Sequence, residues 1–165
     1  MSDLQRGMQP DGASMRTVMG HFATGVTVVT ATDGSDPVGM ACNSFTSLSL
    51  DPPLVLFCAA KSSSTWPRIQ AAKHYCVNIL AEDGEALCRT FAMKSADERY
   101  DGVGYSAGVT GAPVLDDALA YIDCEIESEI DGGDHVIVVG RVVELGHREG
   151  SPLAFFRGGY GRYAV

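Results

Sequence analysis

The chain has 165 residues, a formal net charge of -9, and 45% apolar residues. This length and composition favour a single domain with one hydrophobic core. The negative charge argues against general nucleic-acid binding and against binding to anionic membranes, because both need a basic surface. No apolar run is long enough to cross a bilayer. The polar N-terminus does not resemble a signal peptide, so we expect residues 1–13 to form a disordered tail and residues 14–165 to form the domain.

The cysteines and histidines show no spacing that is typical of a metal site or of a disulfide framework. No two cysteines form a C-x-x-C pair, and the four histidines lie far apart in the sequence. We therefore predict no metal site and expect a reducing, cytoplasmic environment. The cysteines are Cys42, Cys58, Cys76, Cys88 and Cys124.

The first predicted element is a helix over about residues 15–22, which Ser14 would cap. Four large apolar side chains fall on one stripe of this helix, as expected for an amphipathic helix that packs on a partner surface. They are Met15, Val18, Met19 and Phe22.

A hairpin and a buried strand come next. Residues 26–32 are β-branched, residues 33–37 are typical of a turn, and residues 38–42 form the second arm. A polar segment follows, in which we expect a loop. The prolines at positions 52 and 53 force the chain to turn, and the wholly apolar residues 54–58 predict a strand buried on both faces.

Short helices and further strands alternate in the middle of the chain. The pattern predicts a helix over residues 66–72, a strand over residues 74–80 and a helix that Asp83 caps. Residues 94–111 are polar and glycine-rich, which indicates a long surface loop with a short helix near Asp97.

The clearest periodic signal begins at Tyr121. Acidic residues at positions 123, 125, 127 and 129 alternate with apolar ones, which predicts a strand with one wet and one dry face. Residues 135–145 form its hairpin partner, and residues 152–156 form a last strand. About six or seven strands with peripheral helices predict a mainly β fold, a closed or nearly closed β-barrel.

Three segments are candidates for ligand binding, each beside a plainer interpretation. The segment at 61–65, Lys-Ser-Ser-Ser-Thr, offers hydroxyls and an ammonium to a phosphate, but it could equally be a helix cap. The strand end at 40–47 could contact a heterocycle or could simply precede a bend. His135, beside a glycine turn, could bind a ligand or transfer protons, and it could also be a surface side chain. Arg89 could supply a second positive charge or face solvent.

Other catalytic templates are absent from the sequence. It contains no G-x-S-x-G elbow and no Walker loop. The glycines at 158–161 are not followed by a strand-to-helix unit, so we expect no Rossmann-type nucleotide site. We predict no catalytic side chain as such.

Several motifs together resemble the short-chain flavin reductases of two-component monooxygenase systems. They are Phe-Ala-Thr-Gly-Val-Thr-Val-Val-Thr at 22–30, the block from Gly39 to Val55, Ser-Ser-Ser-Thr-Trp at 62–66, Phe-Ala at 91–92 and Gly-Asp-His at 133–135. The resemblance implies an FMN-binding split β-barrel, a homodimer, and reduction of FMN or FAD by NADH or NADPH. It also implies that reduced flavin passes to a partner monooxygenase.

The same resemblance assigns roles to residues. Alanine at position 41, where relatives commonly carry threonine, would remove one side-chain hydrogen bond to the flavin. A flavin-binding barrel without turnover, and an enzyme like pyridoxamine-phosphate oxidase, stay open as alternatives. The implied flavin-binding residues are Met40, Ala41, Cys42, Asn43, Ser44, Ser47, Ala60, Lys61, Ser62, Ser63, Ser64, Thr65, Arg89 and Phe91. Those implied for the nicotinamide nucleotide are His135, Tyr160, Arg162 and Tyr163.

Overall fold

A computed structural model describes residue 4 and residues 6–163. Residues 1–3 and 5 of the predicted tail, and residues 164–165 of the predicted domain, lie outside this description. The helices are α1 (Gly12–Met19), α2 (Trp66–Ala72) and α3 (Glu85–Met93), with a short 3-10 helix at Ala96–Glu98. The strands are β1 (Thr24–Gly25), β2 (Thr27–Asp33), β3 (Asp36–Cys42), β4 (Phe45–Leu50), β5 (Pro53–Ala60), β6 (His74–Leu80), β7 (Tyr105–Ala107), β8 (Pro113–Leu115), β9 (Ala118–Gly132), β10 (His135–His147), β11 (Leu153–Phe156) and β12 (Gly159–Arg162).

Seven antiparallel strands form the main sheet, in the order β3-β2-β6-β9-β10-β5-β4. Its two edge strands, β3 and β4, are consecutive in the chain and only residues 43–44 separate them. The sheet must therefore curl until its edges meet, which is how a barrel removes its free edges. The prediction of a mainly β split barrel with peripheral helices is confirmed.

Strand β2 separates two apolar clusters, and this explains why it is buried on both faces. Val29 packs inside the barrel with Phe57 and Tyr75. Val28 faces the other way and packs under α3, where Phe91 is buried. Because successive strand residues point to opposite faces, one β-branched strand serves both layers. The second layer holds α3 against the barrel wall beside the end of β3.

The sequence prediction was wrong about the segment around Pro52 and Pro53. Phe45–Leu50 is not a loop but strand β4, which pairs with β5. Strand β5 is not buried on both faces either: Val55, Phe57 and Ala59 are buried, whereas the alternate side chains are half-buried. An edge strand that pairs on one side only needs fewer apolar residues, so β4 lacked the expected pattern.

Both predicted helix caps were also wrong. Helix α1 begins at Gly12, earlier than predicted, and its cap is Asp11, whose Oδ1 accepts a hydrogen bond from the Ser14 backbone N–H at 2.8 Å. It ends at Met19, and no residue of the helix is buried. The cap of α3 is Gly84 instead of Asp83. The apolar stripe of α1 is therefore exposed on the single chain.

The prediction of a solvent-exposed acidic face on β9 was wrong at the first acidic position. Asp123 is fully buried, and its carboxylate accepts hydrogen bonds from the Thr110 backbone N–H at 2.8 Å and from Thr110 Oγ1 at 2.6 Å. A buried carboxylate is tolerated only with such partners. The pair fixes the end of the long loop, which also contains β7 and the predicted short helix. Among the described helices, none has the length and apolar character needed to span a membrane.

Candidate functional site

A cavity of about 490 Å³ opens where the end of β3, the end of β5, the serine-rich segment, α3 and the start of β10 come together. Most of the residues implied from the sequence line it. The implied residues that line the cavity are Met40, Ala41, Cys42, Asn43, Ser44, Ala60, Ser62, Ser63, Ser64, Thr65, Phe91 and His135.

The rim between β3 and β4 is held in place by one hydroxyl. Ser44 Oγ donates to the Cys58 carbonyl at 3.0 Å and accepts from the Cys58 backbone N–H at 3.3 Å. Cys42 Sγ lies 3.1 Å from the same Ser44 Oγ. These contacts tie the link between the two barrel edges to β5. The Asn43 side chain is exposed at this rim.

The serine-rich segment follows β5 and precedes α2. Ser63 Oγ accepts hydrogen bonds from the backbone N–H groups of Thr65 and Trp66, both at 3.2 Å, so this hydroxyl satisfies two backbone donors at the start of the helix, whose N-cap residue is Thr65. All three serines line the cavity, and Ser62 and Ser64 are exposed there, while their binding to a phosphate stays a prediction.

Arg99 is a cavity residue that sequence reasoning missed. Its Nη1 donates to the Gly39 carbonyl and to Thr65 Oγ1, both at 2.7 Å, and its Nε donates to the Lys94 carbonyl at 3.0 Å. Partial burial lowers the pKa of this guanidinium from its usual value, yet arginine remains charged at neutral pH. The long loop thus delivers a fixed positive charge to the serine-rich end of the cavity.

Five of the implied residues lie outside both the cavity lining and the annex described below. Ser47 is exposed on β4. The ammonium of Lys61 is paired with Asp131, and this ion pair holds the pKa of the carboxyl below its usual value. Arg162 Nε lies 3.6 Å from Glu82 Oε2. Tyr163 is exposed at the end of the described chain, and Arg89 faces the annex from outside.

His135 lies at the cavity mouth, on the first residue of β10. Its Nδ1 is 2.7 Å from Asp134 Oδ1, and this hydrogen bond lowers the pKa of the Asp134 carboxyl. The contact fixes the ring orientation and leaves Nε2 as the atom available to a ligand.

A smaller cavity of about 190 Å³ adjoins the first one; we call it the annex. The two share Ala41, Cys42, Asn43 and Ala92. The rest of the annex wall is Val26, Cys88, Phe155 and Tyr160. Tyr160 Oη lies 3.3 Å from Cys88 Sγ, and this contact together with burial raises the pKa of the phenol to about 12. The phenol is neutral at physiological pH.

The cysteines near the site are thiols. All five cysteines belong to the part of the chain that the structure describes, and each is free. Burial raises the pKa of the Cys42 thiol, which is therefore protonated at neutral pH. Among residue 4 and residues 6–163, no three His, Cys, Asp or Glu side chains are placed to hold a metal ion.

The donor set suits a phosphorylated ring system. At one end, hydroxyls and a guanidinium surround space for an anion. At the other end, backbone groups and an exposed amide border a wall that Phe91 and Ala92 complete. Cofactor sites commonly combine an apolar wall with a few polar groups in this way. The residues present therefore fit a flavin.

Comparison with known proteins agrees with this geometry. Residues 19–164 match the family model described as "Flavin reductase like domain". The reductase subunit HsaB of a flavin-dependent monooxygenase from Rhodococcus jostii is 46% identical over 151 residues, which cover 91% of this chain and 77% of that protein. The FMN reductase (NADH) SmoA of Agrobacterium fabrum is 42% identical, with 92% and 86% covered.

Solved structures show the same similarity. The NADH:FAD oxidoreductase SgcE6 of Streptomyces globisporus, in complex with NAD and FAD fragments, superposes with a TM-score of 0.89 at 39% identity, covering 97% of this chain and 98% of that one. The names of these relatives confirm the oxidoreductase class predicted from the sequence. A family match over nearly the whole chain, together with identities above 40%, shows that the protein belongs to the flavin reductase-like family.

Proposed function

We propose that the protein is an NAD(P)H:flavin oxidoreductase that reduces FMN or FAD. The observation that carries this proposal is the cavity between Asn43 and Thr65, with a fixed guanidinium at its hydroxyl-rich end and a histidine at its mouth. Relatives named as flavin reductases support it. When bound, the two cofactors supply the redox chemistry themselves, as hydride passes from nicotinamide C4 to flavin N5.

The serine-rich end of the cavity is the proposed phosphate seat. The Ser62 and Ser64 hydroxyls donate to phosphate oxygens, and Arg99 supplies the charge. Lys61 contributes only when its ammonium leaves Asp131. Arg99 is held at three points before any ligand arrives, so binding a phosphate costs it little side-chain entropy.

The end of β3 is the proposed seat of the ring. Residues 40–44 present backbone groups and the Asn43 amide to the polar edge of the isoalloxazine, where negative charge grows during reduction. Ala41 offers no hydroxyl there, so recognition of this edge depends on the backbone. His135 Nε2, oriented by Asp134, binds the nicotinamide nucleotide.

The test is to mix the protein with NADH or NADPH and with free FMN or FAD, and to follow the absorbance of the reduced nicotinamide. We expect flavin-dependent consumption with at least one combination, at a rate that saturates with free flavin at low protein concentration. If no combination is consumed although flavin binds, the alternative of a flavin-binding barrel without turnover is correct.

Saturation by free flavin would also support delivery of the product to a partner. The relatives named as reductase subunits and components of monooxygenases serve such systems. We propose that this protein likewise releases reduced flavin to a flavin-dependent monooxygenase.

A homodimer is part of the same proposal. The exposed Met19 at the end of α1 and the exposed Phe22 just after it line a groove of about 870 Å³, which Phe45 and Leu56 also line. Exposed apolar patches of this kind mark interaction sites. The proposed occupant is a second copy of the chain. A cytoplasmic location is supported by the five free thiols.

A further inference from the structure

Arg89 faces an aromatic ring instead of the cavity. Its Cζ lies 5.0 Å from the centroid of the Tyr160 ring. Its Nε and Nη2 lie 2.9 Å and 2.8 Å from Glu85 Oε1, one turn earlier on α3. The ion pair with this carboxylate orients the side chain while the guanidinium stays charged, so the guanidinium lies over Tyr160 and outside the cavity lining.

The Tyr160 ring stands on a peripheral strand, so contacts from outside its own sheet contribute to its position. Strand β12 pairs only with β11, and β11 pairs in turn with the two-residue strand β1. Outside this small sheet, the ring packs against the apolar cluster under α3, its hydroxyl lies 3.3 Å from Cys88 Sγ, and Arg89 lies over its face. Within the hairpin, Phe155 meets it edge-on at 5.3 Å.

The ring forms one wall of the annex, and the annex opens into the proposed flavin cavity. Its lining is mainly apolar, with two aromatic rings and no charged side chain. A space of this character suits an uncharged or weakly charged flat ring and not a phosphate. It shares Ala41, Cys42 and Asn43 with the place proposed for the isoalloxazine.

We propose that Arg89 is a positioning residue that acts through Tyr160: it holds the phenol ring as the wall against which the nicotinamide ring of the hydride donor lies. The proposal rests on the proposed function and assigns Arg89 to recognition of the nucleotide, not of the flavin. Tyr160 contacts the nucleotide, whereas Arg89 and Cys88 keep it in place.

The experiment compares Arg89→Ala, Arg89→Lys, Tyr160→Ala and the double variant Arg89→Ala/Tyr160→Ala. In each, the KM for the nicotinamide nucleotide, kcat and the Kd of flavin are measured. We expect Arg89→Ala to raise the KM about three- to fivefold while the flavin Kd stays unchanged, as suits a cation–π contact at a largely exposed site. Arg89→Lys retains a cation and should restore part of the loss.

Non-additivity is the decisive readout, because a merely structural role of Arg89 would not produce it. We expect the double variant to have the same KM as Tyr160→Ala alone, since Arg89 has nothing left to position. Additive effects would overturn the proposal, as would a rise in flavin Kd with an unchanged nucleotide KM. Arg68→Ala, which removes another arginine–carboxylate pair whose members line neither cavity, is the control. An inactive wild type would refute the proposed function itself and is thus a distinct outcome.

Discussion

Arg99 Nη1 donates a hydrogen bond to Thr65 Oγ1 at 2.7 Å, across a separation of 34 positions in the chain. The contact joins the glycine-rich loop to the last residue before α2. Thr65 is buried at the cavity wall, and its hydroxyl accepts this bond. The loop therefore places a guanidinium in the wall of the cavity at its serine-rich end.

Replacement of Arg99 by alanine should weaken FMN binding about tenfold or more, because a hydrogen bond to a charged group is worth about 1.5–3 kcal/mol. Riboflavin has the same ring but no phosphate, so its affinity should change far less. Fluorescence titration with both ligands measures the difference. An equal loss for FMN and riboflavin would mean that Arg99 supports the cavity structurally and does not bind the phosphate.

Lys61→Ala should have a smaller effect on FMN affinity than Arg99→Ala, about threefold at most. The ammonium is already paired with Asp131 in an exposed ion pair, and solvent screening weakens the contribution of such an exposed charge to binding. Fluorescence titration with FMN, repeated at high salt, measures the change in affinity. A loss as large as that of the Arg99 variant would show that Lys61 exchanges Asp131 for the phosphate when flavin binds.

His135→Ala should raise the KM for the nicotinamide nucleotide about tenfold and leave flavin affinity nearly unchanged, because the ring lies at the cavity mouth. Asp134→Asn is the matched variant: it keeps the volume but weakens the contact that orients the ring, and it should show the same effect in smaller measure. Steady-state kinetics and flavin titration test both. A collapse of flavin affinity with an unchanged KM would contradict the assignment.

Gly140→Ala should destabilise the barrel by about 1–3 kcal/mol, the usual cost of overpacking. An added Cβ would lie 2.0 Å from Tyr75 Oη, a fully buried hydroxyl with no hydrogen-bond partner in the described part of the chain. Tyr75→Phe removes that oxygen, so it should recover part of the loss. Denaturant unfolding measures the free energies. Gly25→Ala, where nothing lies within 4 Å of an added Cβ, is the control.

Val18→Asp should convert a dimer into a monomer, because it places a charge on the exposed apolar stripe of α1. Ala13→Asp, on the same helix but off the stripe, should leave the assembly intact. Light scattering after gel filtration measures both masses. A wild type that is already monomeric would refute the homodimer, and a dimeric Val18→Asp variant would place the interface elsewhere.

Local patterns in the sequence were sufficient to predict most strands of the barrel. The β-branched residues of β2, the turn before β3 and the alternation along β9 predicted their strands, because each signal lies within one element. Strand β4 was not predicted because its serines and threonine are typical of a loop, although an edge strand tolerates them. Asp123 was assigned to a wet face because its hydrogen-bond partner, Thr110, comes from a loop whose position no periodicity predicts.

The site likewise contains residues that local motifs predict and residues that they do not. The residues at 40–44 and 62–65 are contiguous motifs, so family resemblance could predict that they meet around one cavity. Arg99 stands in a polar loop with no local signal, and only the folded chain brings it to Thr65. The orientation of Arg89 was equally hidden, since one helical residue can face phosphate, solvent or a ring, and the choice depends on where β12 lies.

The most direct test is to fill the cavity with a tryptophan side chain and to measure flavin-dependent oxidation of reduced nicotinamide. Ala92 is exposed on α3 and lines both the cavity and the annex, whereas Ala86 is exposed on the same helix and lines neither. We predict that Ala92→Trp remains folded but loses flavin binding and flavin-dependent oxidation of reduced nicotinamide, while Ala86→Trp retains both. An Ala92→Trp variant with the flavin affinity and turnover of the wild type would contradict the assignment of this cavity as the active site.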